Sequence, residues 1–328
     1  MPLKAPEFWQ KENTFWGRLL SPLSRIYAWG VRRQVKKAKP YEAHIPVVCV
    51  GNLVMGGVGK TPLAVSIAEY FKMNGMKPIF LTRGYGGGLS NILVDPDKHK
   101  AEQTGDEALL LARVAPTIVD ADRARGAKKA EMLGADVIVM DDGFQNHQLS
   151  KTLSLAVFDG RFGFGNGKVF PAGPLREPLE DGLGRANAFV VVGKDLSGVK
   201  KWVDDRYATL PFIGMHIEQD VSKIAQLSGK RIFAFAGIGY PEKFFDMLKE
   251  YGCDVVETRS FPDHHPYTDQ EMTDMIAQAS KLEAVLVTTA KDGVRISPRF
   301  QQQIQIVEAY MVWDTPDAMC ALLEALHR

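Results

Sequence analysis

The segment GNLVMGGVGKT at residues 51–61 restricts the possible folds of this chain more than any other feature of the sequence. It follows a short apolar, β-branched run, IPVVCV, and precedes a stretch whose apolar residues have helical spacing. Glycines let a loop backbone approach an anion closely, and the free amide groups at a helix N-terminus bind phosphate. This order of strand, glycine-rich loop and helix predicts a loop that binds nucleotide phosphates.

The end of this loop carries the two side chains that reach phosphate and metal in such sites. Lys60 is predicted to reach the β- and γ-phosphates of ATP, and Thr61 to ligate Mg²⁺. The strict pattern has Gly where this chain has Val54, so the loop fits the GGxGK[ST] form instead, which often has Lys in place of Met55. A glycine-rich turn with a surface lysine is the alternative. The predicted ATP-binding residues are Val54, Met55, Gly56, Gly57, Val58, Gly59, Lys60 and Thr61.

Apolar, strand-like runs alternate with amphipathic, helix-like stretches along most of the chain. The alternation predicts the α/β class, with a mostly parallel, doubly wound sheet of the P-loop NTPase type. A second alternating unit begins near residue 231. We therefore predict a P-loop domain at 1–222 and a smaller α/β domain at 223–328 that contributes to the active-site cleft. The strands predicted for the first domain are 45–50, 78–81, 92–94, 117–119, 137–140, 153–158 and 189–192.

Two adjacent aspartates, Asp141 and Asp142, follow the predicted strand at 137–140. In P-loop proteins an acid at the end of a buried strand serves Mg²⁺, either directly or through a second group. One of the pair is predicted to do so here. The alternative is a pair of turn-forming aspartates before Gly143.

Two loops supply further polar candidates. Arg83 and Tyr85 follow the second predicted strand, at the edge where doubly wound sheets bind ligands. There, Arg83 could clamp a phosphate and Tyr85 could stack on a ring, although a plain glycine loop explains RGYGGG equally well. The Gly- and Pro-rich stretch at 159–183 is too long for an ordinary connector, and such loops are commonly functional. Its Arg176 and Glu177 could bring charge to the active site.

An acid and a pair of histidines are candidates for proton transfer. Asp106 begins a predicted helix, where the helix dipole favours an acid, but it could also be the general base at a phosphoryl acceptor. His264 and His265 follow Asp263 in a proline-bounded loop, and no further metal ligand is spaced nearby. A His–Asp pairing that tunes a base is one interpretation, and a solvated loop histidine is the other.

The first 40 residues are basic and aromatic. They hold nine Lys or Arg against Glu7 and Glu12, and three of the five tryptophans. Apolar residues recur there at spacings of three and four beside the cations, which is the composition of a helix at a membrane surface. A helix that packs this stripe on the protein is the alternative. Because no uncharged apolar run reaches the roughly 18 residues of a spanning helix, the sequence predicts a peripheral rather than an integral protein.

Taken together, the ordered motifs resemble those of the tetraacyldisaccharide 4′-kinase (lipid A 4′-kinase) family. The motifs are LLSPLSRIY, VGNLVMGGVGKTP, LTRGYGG, GDEALLL, DDGFQ, FPAGPLREPL, FPDHH and TTAKD. The resemblance implies transfer of the ATP γ-phosphate to the 4′-hydroxyl of a tetraacyldisaccharide 1-phosphate, which forms lipid IVA in lipopolysaccharide biosynthesis. It also implies a monomer that binds an amphiphilic glycolipid, and no nucleic acid, at the cytoplasmic face of the bacterial inner membrane.

The same resemblance implies roles for individual residues. Asp106 paired with His264 would activate the hydroxyl, Lys60 and Asp142 would act in catalysis, and Asp141 with Thr61 would hold Mg²⁺. The family usually has His directly after DDGFQ, whereas this chain has Asn146 followed by His147. Lining of the cleft is implied for Arg83, Tyr85, Arg123, Gln145, Arg176 and Glu177.

Two other functions are compatible with a phosphate-binding loop. One is a regulatory or carrier NTPase of the P-loop class, although Met55 argues against its dimerising branch. The other is a nucleic-acid-binding ATPase that would use the basic arm on a phosphate backbone. Transfer of phosphate to a lipid A precursor separates the kinase from both.

Overall fold

A computed structural model describes residues 6–207 and 209–327, without the side chains of Val221 and His327. Residues 1–5 of the predicted arm lie outside the described part of the chain. The strands are β1 Val47–Gly51, β2 Pro78–Thr82, β3 Ile92–Leu93, β4 Thr117–Val119, β5 Val137–Asp141, β6 Leu153–Asp159, β7 Ala188–Val192, β8 Phe212–Gln219, β9 Arg231–Ala236, β10 Asp254–Ser260, β11 Val285–Thr289, β12 Gln305–Val307 and β13 Ala309–Trp313. The α-helices are α1 Phe15–Leu19, α2 Ser21–Lys37, α3 Lys60–Met73, α4 Ala101–Thr104, α5 Asp106–Ala112, α6 Arg123–Met132, α7 Leu179–Leu183, α8 Val199–Tyr207, α9 Val221–Ala225, α10 Pro241–Glu250, α11 Asp269–Lys281, α12 Ala290–Gly293, α13 Pro298–Gln301 and α14 Pro316–Glu324.

In the described residues, nine strands form the larger sheet, in the order β13-β8-β7-β6-β1-β5-β2-β4-β3. Only the outermost strands, β3 and β13, pair antiparallel with their neighbours. Successive residues of β1 enter two apolar cores on opposite faces of the sheet, with Val48 in one and Cys49 in the other. This is the predicted α/β architecture, a mostly parallel, doubly wound sheet of the P-loop NTPase type.

Helix α3 is fixed between the phosphate loop and one face of this sheet. Gly59 directly before it has φ of 85°, a left-handed conformation that glycine adopts without steric cost. The apolar residues at helical spacing, Ala64, Ile67, Ala68 and Phe71, are fully buried. Burying a large apolar side chain stabilises a fold by about 1.5–3 kcal/mol. The helix therefore holds the loop firmly at the carboxyl end of β1.

The second sheet is small and entirely parallel. In the described residues it has the order β10-β9-β11-β12, with α10 packing against β9 and β10. Helix α11 begins at the predicted capping box, in which Thr268 Oγ1 accepts from Glu271 N and Glu271 Oε2 accepts from Thr268 N. The two cores of this unit lie on either side of β9.

The chain returns to the first sheet after the second. Strand β13 pairs with β8 at the far edge of the larger sheet, and Met319 and Leu323 of α14 join the core around α3. The division at residues 222 and 223 stays a prediction, and the last strand and helix of the chain belong by contact to the larger sheet. No helix in the described ranges is both long enough and apolar enough to span a bilayer.

Candidate active site

The phosphate loop joins β1 to α3, and the long loop at 159–183 lies against it. Met55 N donates to Pro174 O over 2.8 Å, and Arg176 N donates to Leu53 O over 2.8 Å. Val54 and Leu175 also form an antiparallel bridge. Because these contacts use backbone groups on both sides, the long loop fixes the shape of the phosphate loop and brings Arg176 to it.

Lys60 stands at the start of α3 with its ammonium among polar groups. Its Nζ donates to Asn52 Oδ1 over 3.3 Å and lies 3.6 Å from Asp142 Oδ2. Asn52 also donates through Nδ2 to Val54 O over 2.5 Å, so its side chain connects the loop backbone to the lysine. The ammonium is thereby held at the mouth of the loop, where an anion would meet it.

Thr61 and Asp141 form the candidate metal site. Thr61 Oγ1 donates to Asp141 Oδ2 over 2.8 Å, and Asp141 Oδ1 is buried without a hydrogen-bond partner in the described residues. Burial and the charge of Glu107 raise the pKa of Asp141 to about 7, against the opposing effects of Thr61 and Lys60. A buried carboxylate oxygen that lacks a partner fits a cation. Among the described residues, no cluster of three or more His, Cys, Asp or Glu offers a metal site, and Mg²⁺ bound with nucleotide needs only one or two carboxylates.

Asp142 points to the other side of the loop. Its backbone has φ of 51°, and its carboxylate accepts two bonds from Arg176 Nη1 over 2.9 and 3.1 Å. Positive φ in a residue other than glycine is a strained conformation that marks functional sites more often than chance. The two adjacent aspartates therefore differ in environment, with Asp141 buried against Thr61 and Asp142 shared by Lys60 and Arg176.

Gln145 and Glu177 connect these groups to the protein interior. Gln145 Nε2 donates to Asn52 O over 2.8 Å and to Glu177 Oε1 over 3.2 Å. Glu177 is buried and receives both bonds of Arg185 Nη2, over 2.8 and 2.7 Å. Because each member holds the next, the buried Glu177 supports Asn52 through Gln145, which also accepts from Arg176 Nη1 over 3.2 Å.

The residues proposed for proton transfer meet across the two sheets. Asp106, the first residue of α5, accepts from His264 Nδ1 over 2.7 Å although the two lie 158 residues apart. Arg295 Nε lies 3.4 Å from the same carboxylate oxygen. Burial by itself would raise the pKa of Asp106, but the bond from His264 and the charge of Arg295 outweigh it and lower that pKa. Asp106 is thus ionised near neutral pH.

The two histidines of the FPDHH loop have different partners. His264 has φ of 61°, and its Nε2 lies 3.4 Å from Lys291 Nζ. An ionised carboxylate only accepts, so His264 Nδ1 carries the proton that it donates to Asp106. His265 instead stacks on Phe261 with ring centroids 4.6 Å apart and contacts Glu271. The structure therefore brings His264, and not His265, to Asp106.

Three other predicted residues lie around the ends of β2 and β4. Arg83 and Tyr85 are exposed, with 80% of Tyr85 accessible. Gly105, before α5, has positive φ, and a Cβ there would stand 2.4 Å from Tyr85 O, so the two loops touch. Arg123 is buried, its Nε has no partner in the described residues, and burial and Arg83 lower its pKa to about 10. Arg123 therefore remains cationic at neutral pH.

The departure from the family pattern after DDGFQ has a local explanation in the structure. Asn146 Oδ1 accepts from Gln148 N over 3.0 Å, and its amide contacts the Gln148 side chain, so Asn146 closes a turn. Burial and the nearby Arg185 and Lys151 lower the pKa of His147 to about 4. His147 is therefore neutral at neutral pH, and within the described residues no hydrogen bond joins it to the phosphate loop.

The sequence did not indicate Asn52, Arg185 or Arg295. Asn52 had a positional signal, because it follows β1 directly, where ligand-binding loops begin. Arg295 had none, since its partner Asp106 belongs to the other sheet. The structure also brings Lys291 of the TTAKD motif to His264.

The fold and these contacts define a class of protein. The parallel strand β1 leads into a glycine-rich loop with Lys60 and Thr61. The buried Asp141 ends β5, the strand that pairs with β1, and Asp106 is hydrogen-bonded to His264. These are the parts of a P-loop phosphotransferase.

Comparisons with known proteins identify the family within this class. The family model for tetraacyldisaccharide-1-P 4′-kinase matches residues 16–327, and the chain belongs to this family. The tetraacyldisaccharide 4′-kinase of Paramagnetospirillum magneticum is 46% identical over 99% of both chains. That of Rhodospirillum centenum is 43% identical over 99% of this chain and 97% of its own. A crystal structure of LpxK from Aquifex aeolicus in complex with ATP superimposes with a TM-score of 0.76 at 25% identity, covering 94% of this chain and 99% of the other. The predicted family is confirmed.

Proposed function

We infer that the protein transfers the γ-phosphate of ATP to the 4′-hydroxyl of a tetraacyldisaccharide 1-phosphate, the step that forms lipid IVA in lipid A biosynthesis. The family supports the substrate and the reaction. The observation that carries the mechanism is the bond between Asp106 and His264. Glu107, the next residue, is close enough for its charge to raise the pKa of Asp141, which supports a cleft shared by the base and the metal site.

On the donor side, the loop from Val54 to Thr61 would hold the phosphates of ATP through its amide groups, and Lys60 would neutralise the charge that develops on transfer. Mg²⁺ would be held by Thr61 and by Asp141, whose free buried oxygen suits a hard cation. The ion supplies charge neutralisation on the transferred phosphoryl group. Asp142, fixed by Arg176, would keep Lys60 in place.

On the acceptor side, Asp106 would take the proton of the 4′-hydroxyl. The sugar oxygen forms its bond to the γ-phosphorus while the bond to the β-phosphate oxygen breaks, and that electron pair leaves with ADP. His264 would orient Asp106 and help disperse its charge through the bond at Nδ1. A positioned base of this kind contributes about 10²–10⁴-fold.

The remaining predicted residues would shape the cleft. Arg83 is exposed and close enough to the buried Arg123 to lower its pKa, and two neighbouring arginines would suit an anionic substrate. Tyr85 is exposed where it could meet a sugar ring. Gln145 and Glu177 would act from behind the loop by supporting Asn52, and Arg176 would act through Asp142.

The direct test is phosphate transfer from γ-labelled ATP to the disaccharide 1-phosphate in detergent micelles. A labelled lipid product at the 4′ position is expected, and it should disappear in EDTA. Release of inorganic phosphate without a labelled lipid would instead favour a regulatory or carrier NTPase.

The N-terminal helices suggest how the enzyme meets an amphiphilic substrate. Helix α2 contacts the long loop through small residues: Ser24 Oγ donates to Val169 O over 2.7 Å and accepts from Ala172 N over 3.0 Å, and Ala28 is buried beside them. The bulky side chains face outward. Those exposed are Phe15, Trp16, Leu19, Leu23, Ile26, Tyr27 and Trp29.

This orientation supports the predicted docking on an anionic membrane, and we propose that the protein binds the cytoplasmic face of the inner membrane as a monomer. Arg25, Arg33, Lys36 and Lys37 are exposed along α2, and each cation near anionic lipid contributes about 1 kcal/mol. High salt should therefore weaken binding, and the apolar contribution should persist.

Vesicle sedimentation tests the arm. The double variant Leu23→Ser, Ile26→Ser should bind phosphatidylglycerol-containing vesicles at least about tenfold more weakly, because each side chain contributes roughly 1.5–3 kcal/mol when buried in lipid. Both residues are more than half exposed, at 54% and 66%, so the fold should be unaffected. Met73→Ser, Met132→Ser is the matched control, since both methionines are 80% exposed elsewhere. Equal loss in the control, or no loss in the α2 variant, would refute the arm as the anchor.

A further inference from the structure

Arg295 is a buried cation to which the mechanism above assigns no task. Only 3% of its side chain is exposed. Its Nε lies 3.4 Å from Asp106 Oδ2, the oxygen that also accepts from His264 Nδ1 over 2.7 Å. A charge is costly to bury unless it is paired and hydrogen-bonded, so the position of Arg295 beside this pair requires an explanation.

The guanidinium is held from several directions. Nη2 donates to Asp292 Oδ1 over 2.9 Å and to Gly237 O over 3.1 Å, and Nη1 donates to His265 O over 3.2 Å. Nε donates to Lys291 O over 3.1 Å. A planar fork with these four acceptors has one orientation, and in that orientation the guanidinium charge lies beside Asp106, with Nε 3.4 Å from Oδ2.

Asp292 is fixed in turn. It is fully buried and accepts from Tyr267 OH over 2.8 Å and Gly237 N over 2.9 Å at Oδ1, and from Thr289 Oγ1 over 2.6 Å at Oδ2. The strand β11, its following turn and the FPDHH loop are thereby tied into one unit that presents both His264 and Arg295.

The neighbouring residue packs this unit against α5. Val294 is buried in a cluster with Ala108 and Leu109 of α5 and with Val94 and Val119 of the larger sheet. The apolar contact of Val294 sets the distance between the two sheets here. The charged contact of Arg295 beside it orients the Asp106 carboxylate.

We propose that Arg295 is a positioning residue for phosphate transfer: anchored by Asp292, it holds the Asp106 carboxylate against His264 across the junction of the two sheets. The inference rests on the proposed role of Asp106 as the base. Arg295 itself would touch neither ATP nor the sugar.

If Arg295 acts through its charge, its loss should change the pH dependence of kcat, which a loss of packing alone would not change. An opposite charge within about 4–6 Å lowers the pKa of a carboxyl by 1–3 units, so loss of Arg295 should raise the pKa of Asp106. As the pH is lowered, Asp106 would then become protonated at a higher pH than in the unchanged enzyme. The charged or titratable groups around Asp106 and its partner His264 are Glu107, Asp263, Lys291, Asp292 and Arg295.

The experiment compares Arg295→Gln with Arg295→Lys in the full-length enzyme. Arg295→Gln should lower kcat by about 10–100-fold, the scale of a misplaced catalytic group, with the KM for ATP within about twofold. The acid limb of its kcat profile should move up by about one pH unit. Arg295→Lys keeps the charge, so its limb should stay in place with a smaller loss of kcat. Arg299→Gln is the matched control, because Arg299 is a surface arginine paired with Asp269.

Repeating both substitutions in an Asp106→Asn background makes the test decisive. Residues that act as a unit give non-additive losses, so neither Arg295 variant should lose more than about twofold there. Equal losses in both backgrounds, or an unmoved acid limb in Arg295→Gln, would overturn the proposal and leave a structural role. If Arg295→Gln does not fold, Arg295→Lys in the two backgrounds decides the question alone.

Failure of this inference is distinguishable from failure of the proposed function. An Asp106→Asn enzyme with nearly full activity would contradict the assignment of the base. An inactive Asp106→Asn enzyme beside a fully active Arg295→Gln enzyme would contradict only the role of Arg295.

Discussion

The phosphate loop and the Asp106–His264 junction are the two halves of the proposed active site, and they are built differently. The loop is a continuous segment between β1 and α3, and its proposed contacts with phosphate are backbone amides and one lysine. The junction joins side chains that lie 158 residues apart, one at the start of α5 and the other in the loop after β10. The loop is positioned by the fully buried face of α3, whereas the junction is positioned by a few side chains, chiefly Arg295, Asp292 and Val294.

This difference predicts which step of the reaction a substitution in each half should affect. A change in the loop should remove phosphate binding and leave the acceptor side intact. A change at the junction should leave ATP binding intact and slow the transfer step. The two halves are thus separable by comparing kcat with the KM for ATP.

Lys60→Ala should give the largest effect, a loss of at least about 10³-fold in kcat/KM, since it removes the charge that stabilises the transferred phosphoryl group. The fold should persist, because Lys60 lies at the mouth of the loop and outside the apolar cores. The measurement is transfer in micelles, with circular dichroism as the control. Near-normal turnover by the folded variant would contradict the assignment of the loop.

Asp106→Asn should lower kcat by about 10²–10⁴-fold with little change in the KM for ATP. His264→Ala should also lower kcat, and the double variant should lose less than the product of the two factors. Independent, multiplying losses would show that the two residues do not act as a pair. A lowered melting temperature with unchanged kcat would instead mean that Asp106 only stabilises the first turn of α5 through the helix dipole.

Asp141→Asn should have the smallest effect of the three substitutions. It should lower activity and, in the absence of metal, raise stability. Burial first, and then the charge of Glu107, raise the pKa of Asp141 to about 7, while the unfolded chain titrates at about 4. The folded state therefore binds a proton that the unfolded state has lost, and stability falls as the pH rises through this window.

In EDTA at pH 8, Asp141→Asn should accordingly raise the Tm by a few degrees, and the gain should shrink as the pH approaches 4. Calorimetry across this range measures it, and Asp136→Asn at an exposed strand start is the control. A Tm gain that is constant with pH would mean that packing, and not ionisation, produces it.

Several parts of the fold followed from local sequence. The strands β1, β2, β5, β6 and β7 lie within one or two residues of the apolar runs that predicted them, because a strand buried on both faces must be apolar throughout. The capping box at Thr268 was also predicted, since its two bonds join residues three apart. The return of β13 to the larger sheet was not predicted, because strand pairing over 90 or more positions leaves no local pattern.

The sequence by itself determined the phosphate loop, because glycines, Lys60 and Thr61 form local backbone geometry that few residues permit. The family and the reaction followed from the resemblance of the ordered motifs to those of a known family. The sequence left open whether His264 or His265 meets Asp106, which way the stripe of α2 faces, and what holds the junction together. Only the tertiary structure decided these. Each depends on which surfaces pack together: Val294 against α5, Ser24 against the long loop, and Arg295 beside a carboxylate from the other sheet.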